Sequence, residues 1–590
     1  MNSIKSIHIT GRIFTALVFA GCLVFFALFF QYHIYFIEQL QIFIPDLSYV
    51  HSYLVKPAFL SSWIGDFLTQ FYYLKGAGAV IIAGSLLTLL ITIKGLIKKF
   101  PSAMIFQLLP LIPVIFSWIA LCDPEFPLSV VISLIISVLV TLIYISIKSD
   151  RVRLLSCIFL IPFLYCAAGS GFYILTITGI FFELLRSGSK IRQLNSFILI
   201  LITAVIPYLL KGHFLLTAGQ AYGYLSEMTK TPLFLHYLPL ISSAIVISAV
   251  IILLKRIERI PAYIGLQILV ILVILLPGIT IVTSFDLEKI LRLDHEARND
   301  RWEKVINLSE RYKMRNNLSA YYTNMALSKL GVMPDELMEH YQPAATGLFI
   351  PVNANENYLT ITLSNEVYWH LGDVNASQHS ALLGMIFSPR ARNSRLMKRL
   401  VKINIVNGEY AAAEKFITIL EKTLFHRGWA SEKRRYLFNE QECSGSKWII
   451  DKRTVIPSRD LLKKGNEYVK TLRMLLDNNP DNRMAADYLL CFHLLSKDVE
   501  TFASDFKKYY SPGRSILLPK VYQEGLLVNI AAGKKTPEDY KNYRFTPAIV
   551  KEMADYTMAF EENNGKGSAL IDKYSKTYWF YYHFAVMKNE

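Results

Sequence analysis

The sequence predicts an all-α protein in two parts. Residues 1–284 read as a polytopic helical membrane domain of about nine spans, and residues 285–590 as an extracytoplasmic α-helical repeat domain of tetratricopeptide-like type. Three observations carry that expectation. Apolar runs as long as a bilayer core is thick crowd the first half; cations concentrate in alternate short loops there; and after Phe285 the pattern turns to amphipathic helices with charged faces.

The expected spans lie near 12–33, 76–97, 103–121, 127–147, 153–168, 171–185, 194–210, 237–254 and 262–284. Runs of about 18–22 apolar residues cross a hydrocarbon core of roughly 30 Å. A hydrophobic content of 53% and a mean hydropathy of +0.34 over 590 residues exclude an ordinary soluble protein. The fifth and sixth spans are short and joined only by Gly169–Ser170, which suggests a tight hairpin or an incomplete crossing. The first run is too long for a cleavable signal peptide, no small-x-small site follows it, and more spans come after.

Charge sets the orientation. One set of loops carries Lys5 and Arg12; Lys94, Lys98 and Lys99; Lys148, Arg151 and Arg153; Arg186, Lys190 and Arg192; and Lys255, Arg256 and Arg259. The opposite short loops carry only Lys56, Lys75, Lys211 and Lys230. Cation-rich loops stay in the cytoplasm. The N-terminus is therefore expected inside an inner (plasma) membrane, with everything after Ser284 outside. This use of cations accounts for the net charge of +16 without a nucleic-acid partner. Glu183, near the inner end of the sixth span and close to Arg186, reads as a paired structural group rather than a functional one.

Cys22, Cys122, Cys157 and Cys166 fall in or beside spans and read as small apolar packers. Cys443 and Cys491 lie in the second half, where two cysteines alone do not predict a disulfide. There the expected helix pairs are Arg301–Tyr312 with Leu318–Leu330, closed by Gly331, and two halves of Leu396–Leu424 turning at Asn407-Gly408. Glu366–Phe387 contains Leu371-Gly372, and Arg483–Phe506 breaks near Ser496–Asp498. Segments 343–362 and 425–460 are poor in helical pattern and are expected to be loops. His379 and His493 read as packed, hydrogen-bonded core histidines, and Tyr321-Tyr322 and Tyr578–Tyr582 as core or membrane-facing aromatics. No nucleophile elbow, HExxH, phosphate-cradling glycine loop or metal-spaced His/Cys cluster occurs in this half, so it reads as a binding or scaffolding module.

Chemistry, if present, belongs to the external loop 35–75. It is too polar to cross a bilayer and too apolar to be a free linker. Glu38, Asp46 and Asp66 are its acids, Lys56 and Lys75 its cations. Within Trp63–Tyr73, Ile64, Phe67, Leu68 and Phe71 recur at helical spacing, as in a helix lying on a membrane surface.

A first span, then an external loop with an acid near its start and surface-lying helices, resembles the GT-C superfamily of membrane glycosyltransferases. The likeness covers the topology of residues 1–284 and the stretch Glu38-Gln39-x-Gln41, where that superfamily commonly has an Asp-based motif. It implies a sugar donor carried on a polyprenyl phosphate or diphosphate, and a catalytic acid in this loop, for which Glu38 is the candidate, with Asp46 and Asp66 beside it. The chain is also similar to multi-pass proteins that carry a helical-repeat C-terminal half, which implies no reaction.

Transfer from a lipid phosphate needs a base for the acceptor proton, or an acid-held divalent metal to neutralise the leaving phosphate. Asp123 and Glu125 on the neighbouring turn are second carboxylates; Gln39, Gln41, Lys56, Lys75, Lys211 and His213 are candidate substrate-binding groups. The same groups can simply end helices: Asp46 follows Pro45 in a turn, and Asp123-Pro124 is a turn signal. The rival expectation is a non-catalytic envelope scaffold whose helical array binds a protein partner. A transporter is disfavoured by the scarcity of ionisable groups within the spans.

Overall fold

The computed structural model describes residues 2–100, 108–185, 190–226, 233–253, 262–352, 358–388, 391–457, 467–510, 517–534 and 536–586. Regular structure among them is helical, apart from one isolated bridge between Leu517 and Arg544. The chain forms two compact units: Met1–Glu288 with Lys422–Arg427, and Lys289–Glu421 with Gly428–Glu590.

In the first unit, seven helical stretches among the described residues are long and apolar enough to cross a membrane: Ile9–Phe29, Ala77–Ile97, Leu128–Ser146, Asp150–Leu185, Lys190–Leu210, Phe234–Ile252 and Ile264–Val282. The expectation of nine is corrected at the third span, and the hairpin expected at the fifth and sixth is present. The third expected span is represented by the short helix Leu111–Ala120, and residues 101–107 lie outside the described part. The fifth and sixth fall within one apolar stretch of 36 residues, which folds back on itself. Asp150–Ala168 and Phe172–Leu185 are separate helices joined by one 3-10 turn, Gly169–Gly171. Gly169 takes φ +56°, and a Cβ there would stand 2.6 Å from the Tyr224 carbonyl oxygen, so only glycine fits this turn.

The open end of that hairpin is closed by charge. Arg153 and Glu183 are both fully buried, with Nε donating to Oε1 at 2.6 Å. Tyr144 and Asn195 also donate to Glu183, at 2.9 and 3.3 Å. Asp150 bonds Arg153 and, at 3.0 Å, Arg192. The expected pairing of Glu183 is met by Arg153, whereas Arg186 lies outside the described residues. These bonds bring two of the cation-rich segments together. At the opposite end, Lys56 donates to the Phe214 carbonyl at 2.8 Å, Asp123 meets His236 at 2.9 Å, and the Ser170 amide donates to Tyr224 O at 2.8 Å. Two of the five cation-rich segments thus meet one another, as do the cation-poor loops carrying Lys56, Asp123 and Phe214. Lys230, Lys255, Arg256 and Arg259 lie outside the described residues.

The second unit is a succession of helices, each packed on its neighbour in sequence: Trp302–Tyr312 on Asn317–Leu330, Tyr358–Leu371 on Val374–Phe387, then Ser394–Val406 and Tyr410–Glu421, and later Tyr468–Asn478, Arg483–Leu495, Val499–Tyr509 and Lys520–Ala531. The expected breaks occur at Gly331 (φ +73°), Gly372 (φ +95°) and Gly408 (φ +79°), and at Ser496–Asp498, where the Asp498 side chain caps the next helix. The described residues of segment 425–460, 425–457, are not a loop. They contain Arg427–Arg434, Glu440–Ser444 and Lys447–Val455, short helices whose charged sequences hide the usual apolar period.

His493 is buried and bonded to Asp505 at 2.9 Å, but His379 is exposed, contrary to expectation. Tyr321, Tyr322, Tyr578 and Trp579 are core. All six cysteines are unbridged.

A buried ion network ties the helices Phe285–Arg298, Tyr358–Leu371 and Ser394–Val406. Arg395 grips Asp294 with two bonds, 2.8 and 2.9 Å, and Glu366 with a third at 2.9 Å; Arg399 takes the other Glu366 oxygen at 2.5 Å. Burial alone would raise the Glu366 carboxyl, but Arg399 and Arg395 outweigh it and hold the group far below the usual 4.5.

Two outcomes follow. Glu183→Ala leaves Arg153 buried without its main partner and costs about 3–5 kcal/mol in unfolding of the detergent-solubilised chain, most of it recovered by adding Arg153→Met. Because folding depresses the Glu366 pKa, its contribution is complete above about pH 4.5 and is lost as the pH falls below that. Melting temperature followed from pH 6 to pH 3.5 therefore falls less steeply in Glu366→Gln than in the parent.

Candidate functional site

The site is built on the helix Gln31–Gln39. The first span ends in a π-helical turn, Phe25–Phe29, and the chain then breaks at Phe30, whose apolar side chain cannot cap the helix that follows. The Glu288 carboxylate does so from a distance. It accepts from the Tyr32 amide at 2.9 Å and the His33 amide at 3.0 Å, and meets His33 Nδ1 at 2.6 Å. A carboxylate at a helix N-terminus satisfies orphan amides and matches the positive end of the dipole. This fixes the helix whose last turn carries Glu38 and Gln39.

The helix Phe59–Thr69 has an inverted pattern: Ser61, Ser62, Gly65, Asp66 and Thr69 are buried, while Phe67 is exposed. A Cβ on Gly65 would come within 2.6 Å of Ser129 Cβ, so the absence of a side chain lets this helix press against Leu128–Ser146. Its polar face is turned inward, which suits apolar surroundings outside.

Between the two helices lies a pocket walled also by Thr423–His426, the short segment that belongs to this unit. Glu38, 7% exposed, meets His426 Nε2 at 3.1 Å. Asp66 accepts from Tyr53 Oη at 2.7 Å. Gln41 is buried, and its Oε1 has no hydrogen-bond partner. The pocket offers about 10 Å³, the size of one water. A second, of about 20 Å³, shares Gln41 and Asp66 with it.

The remaining sequence-predicted residues are spread around this centre. Gln39 Nε2 donates to Tyr35 O at 2.8 Å. Asp46 is half-exposed and 3.7 Å from Lys422 Nζ. Lys56 is engaged by the Phe214 carbonyl, and Lys211 Nζ sits 3.8 Å from the centre of the Tyr208 ring. Lys75, His213 and Glu125 are exposed. Asp123 pairs with His236; burial pushes its carboxyl up, but the bonds from His236 and the Glu125 amide outweigh that and hold it below the ordinary aspartate value. So Glu38, Gln41 and Asp66 come together, while Asp46, Asp123 and the loop cations do not join them.

Sequence reasoning missed His426, Tyr53 and Glu288. His426 sits in a stretch without helical period, far from Glu38 along the chain, and no local signal marks it. Chemically, a carboxylate against an imidazole can exchange a proton, but the space beside this pair admits nothing as large as a sugar phosphate. No three His, Cys, Asp or Glu side chains among the described residues are placed to hold a metal ion.

No curated protein and no solved structure matches the chain. One family model, described as a family of unknown function (DUF6057), matches residues 5–585, and the chain belongs to that family.

Proposed function

We propose that the protein is a membrane-anchored binding protein of the cell envelope. In this reading the spans fix it in the bilayer, the loop bias places its second half outside the cytoplasm, and a tetratricopeptide-like helical array there engages a partner or ligand. One contrast carries the reading. Glu38 and Asp66 of the first loop are engaged internally around a pocket the size of one water, whereas the second unit carries an open cleft of about 800 Å³ between Glu432 and Asp451. That cleft is lined by Lys433, Tyr436, Asn439, Lys447 and Trp448 among others, the mixture of charge and aromatic surface that binding sites favour.

A second reading, glycosyl transfer from a polyprenyl-phosphate sugar, is favoured by one observation: Glu38, Asp66 and Gln41 converge with His426 on a single pocket. In that case Glu38 would be the base, and the two helices would have to part to admit a donor.

Glu38→Gln separates the two readings. The amide oxygen still accepts from His426, so the change costs about 1 kcal/mol and leaves the protein abundant. The binding reading expects Glu38→Gln to behave like the parent in cells, while Lys433→Glu with Trp448→Ala in the cleft reproduces the deletion phenotype. A folded Glu38→Gln chain that loses a surface glycan, with the cleft variant silent, reverses the assignment. A reporter fused after Glu590 tests the compartment; activity confined to the cytoplasm removes the extracytoplasmic part.

A further inference from the structure

Beside the ion network of the second unit lies a group of cations that outnumbers its counter-charges, Glu366 and the exposed Asp300. Trp369 is at its centre and is buried. Arg399 Cζ stands 4.8 Å from the centroid of its ring and Lys452 Nζ 4.6 Å. Lys452 Nζ also donates to the Trp369 carbonyl at 2.6 Å. Lys402, on the same helix as Arg399, and Lys329 stand close enough to repel Lys452. Lys433, which borders the open cleft, adds to the field at Lys402.

The available acids do not balance this group. Glu366 is consumed by Arg395 and Arg399, Lys433 has Glu432 at 3.0 Å, and Asp300 is exposed. Among the described residues, Lys329, Lys402 and Lys452 have no carboxylate within 4.0 Å. Arg399 spends Nη2 on Glu366, and its buried Nη1 has no hydrogen-bond partner.

A folded chain gains nothing by gathering like charges on half-buried stems. Burial, with Lys329, Arg399 and Lys402 around it, drives the Lys452 ammonium down to about 7. Burial with Arg399 and Lys433 drives Lys402 to about 8. His370, next to the group, is held neutral by burial, Lys329 and Lys452. Such a cost is repaid by an incoming anion, and the donors define its kind. A carboxylate brings one charge and two oxygens; a phosphate monoester brings nearly two charges and three acceptor oxygens, closer to what Arg399 Nη1, Lys402 and Lys452 present.

We propose that Arg399, Lys402 and Lys452, around Trp369, form a binding site for the phosphate group of a ligand, either a soluble phosphate ester or a phospholipid headgroup. This rests on reading the second unit as a binding module and names the chemistry it binds. On binding, Lys402 and Lys452 take up protons, and affinity falls as the pH rises above about 7.

The test uses the full chain in neutral detergent, titrated with inorganic phosphate and glycerol phosphate and followed by calorimetry and thermal shift. Lys402→Met and Lys452→Met keep the stems and remove the charges. Each is expected to weaken phosphate binding roughly tenfold or more, the loss of one charge-assisted hydrogen bond, while the unliganded variants melt at or above the parent temperature because a repulsion has gone. A purely structural role for these lysines predicts the opposite shift in melting. The source is distinguished in lipid discs: if phosphatidate in the disc abolishes phosphate binding, the ligand is a headgroup, and if binding is unchanged it is soluble. Absence of heat and of thermal shift at millimolar phosphate, or binding equal in parent and both variants, overturns the site. The binding-module reading is tested separately by the Lys433→Glu with Trp448→Ala variant, so it can survive that failure.

Discussion

Everything in the first unit depends on how it answers one requirement: a charge taken out of water must meet its opposite or a set of hydrogen-bond donors. The cost of leaving a buried ion uncompensated is several kcal/mol, comparable with the whole stability of a domain. Arg153 and Glu183 satisfy the requirement mutually, with Tyr144, Asn195 and Asp150 filling the remaining valences. That network closes the hairpin between Asp150 and Leu185, and so holds an apolar stretch of 36 residues as two antiparallel helices. Glu288 answers the same requirement differently, by accepting from two amides at a helix start and from His33.

Close packing supplies the second half of the explanation. Where helices carry small residues, backbones approach and hydroxyls find carbonyls. Gly65 faces Ser129, and Gly171 faces Ser133 and Ser137; Ser133 Oγ donates to the Ala168 carbonyl, and Ser137 to Ser133 O at 2.7 Å. These contacts hold the hairpin tip and the helix Phe59–Thr69 against the same neighbour, Leu128–Ser146. The Glu38 pocket is a by-product of that rigidity. With Glu38 set by a helix capped at Glu288, and Asp66 set by a helix pressed on Ser129, neither side chain can retreat to water.

Local features were legible in the sequence and distant partners were not. The helical class, the apolar spans and the breaks at Gly331, Gly372 and Gly408 each rest on residues within a turn or two of one another. By contrast, Glu183 was readable as a paired acid but not as the partner of Arg153, since Arg186 is nearer in sequence. The Glu38–His426 contact joins residues hundreds of positions apart, and a lone histidine in a charged stretch carries no period to betray it. Segment 425–460 misled for a related reason: its helices are short and largely polar, stabilised by ion pairs such as Arg434 with Glu414 and Glu421, so the apolar pattern that marks longer helices is missing.

The two units deal with buried charge in opposite ways, and the contrast bears on function. Around Glu38 and Glu183 the acids have internal partners, which favours a fixed structure over chemistry. Around Trp369 the account does not close. Asp294 and Glu366 match Arg395 and one arm of Arg399, and the three lysines beyond them have only the exposed Asp300 to add. Hydrophobic packing could have supplied the same stability with apolar side chains at those positions, since an ion without its counter-ion only subtracts from it. A surplus of one sign, held half-buried by Trp369 and bordered through Lys433 by an open cleft, is better explained as an incomplete pair whose other member arrives from solution or from the membrane surface.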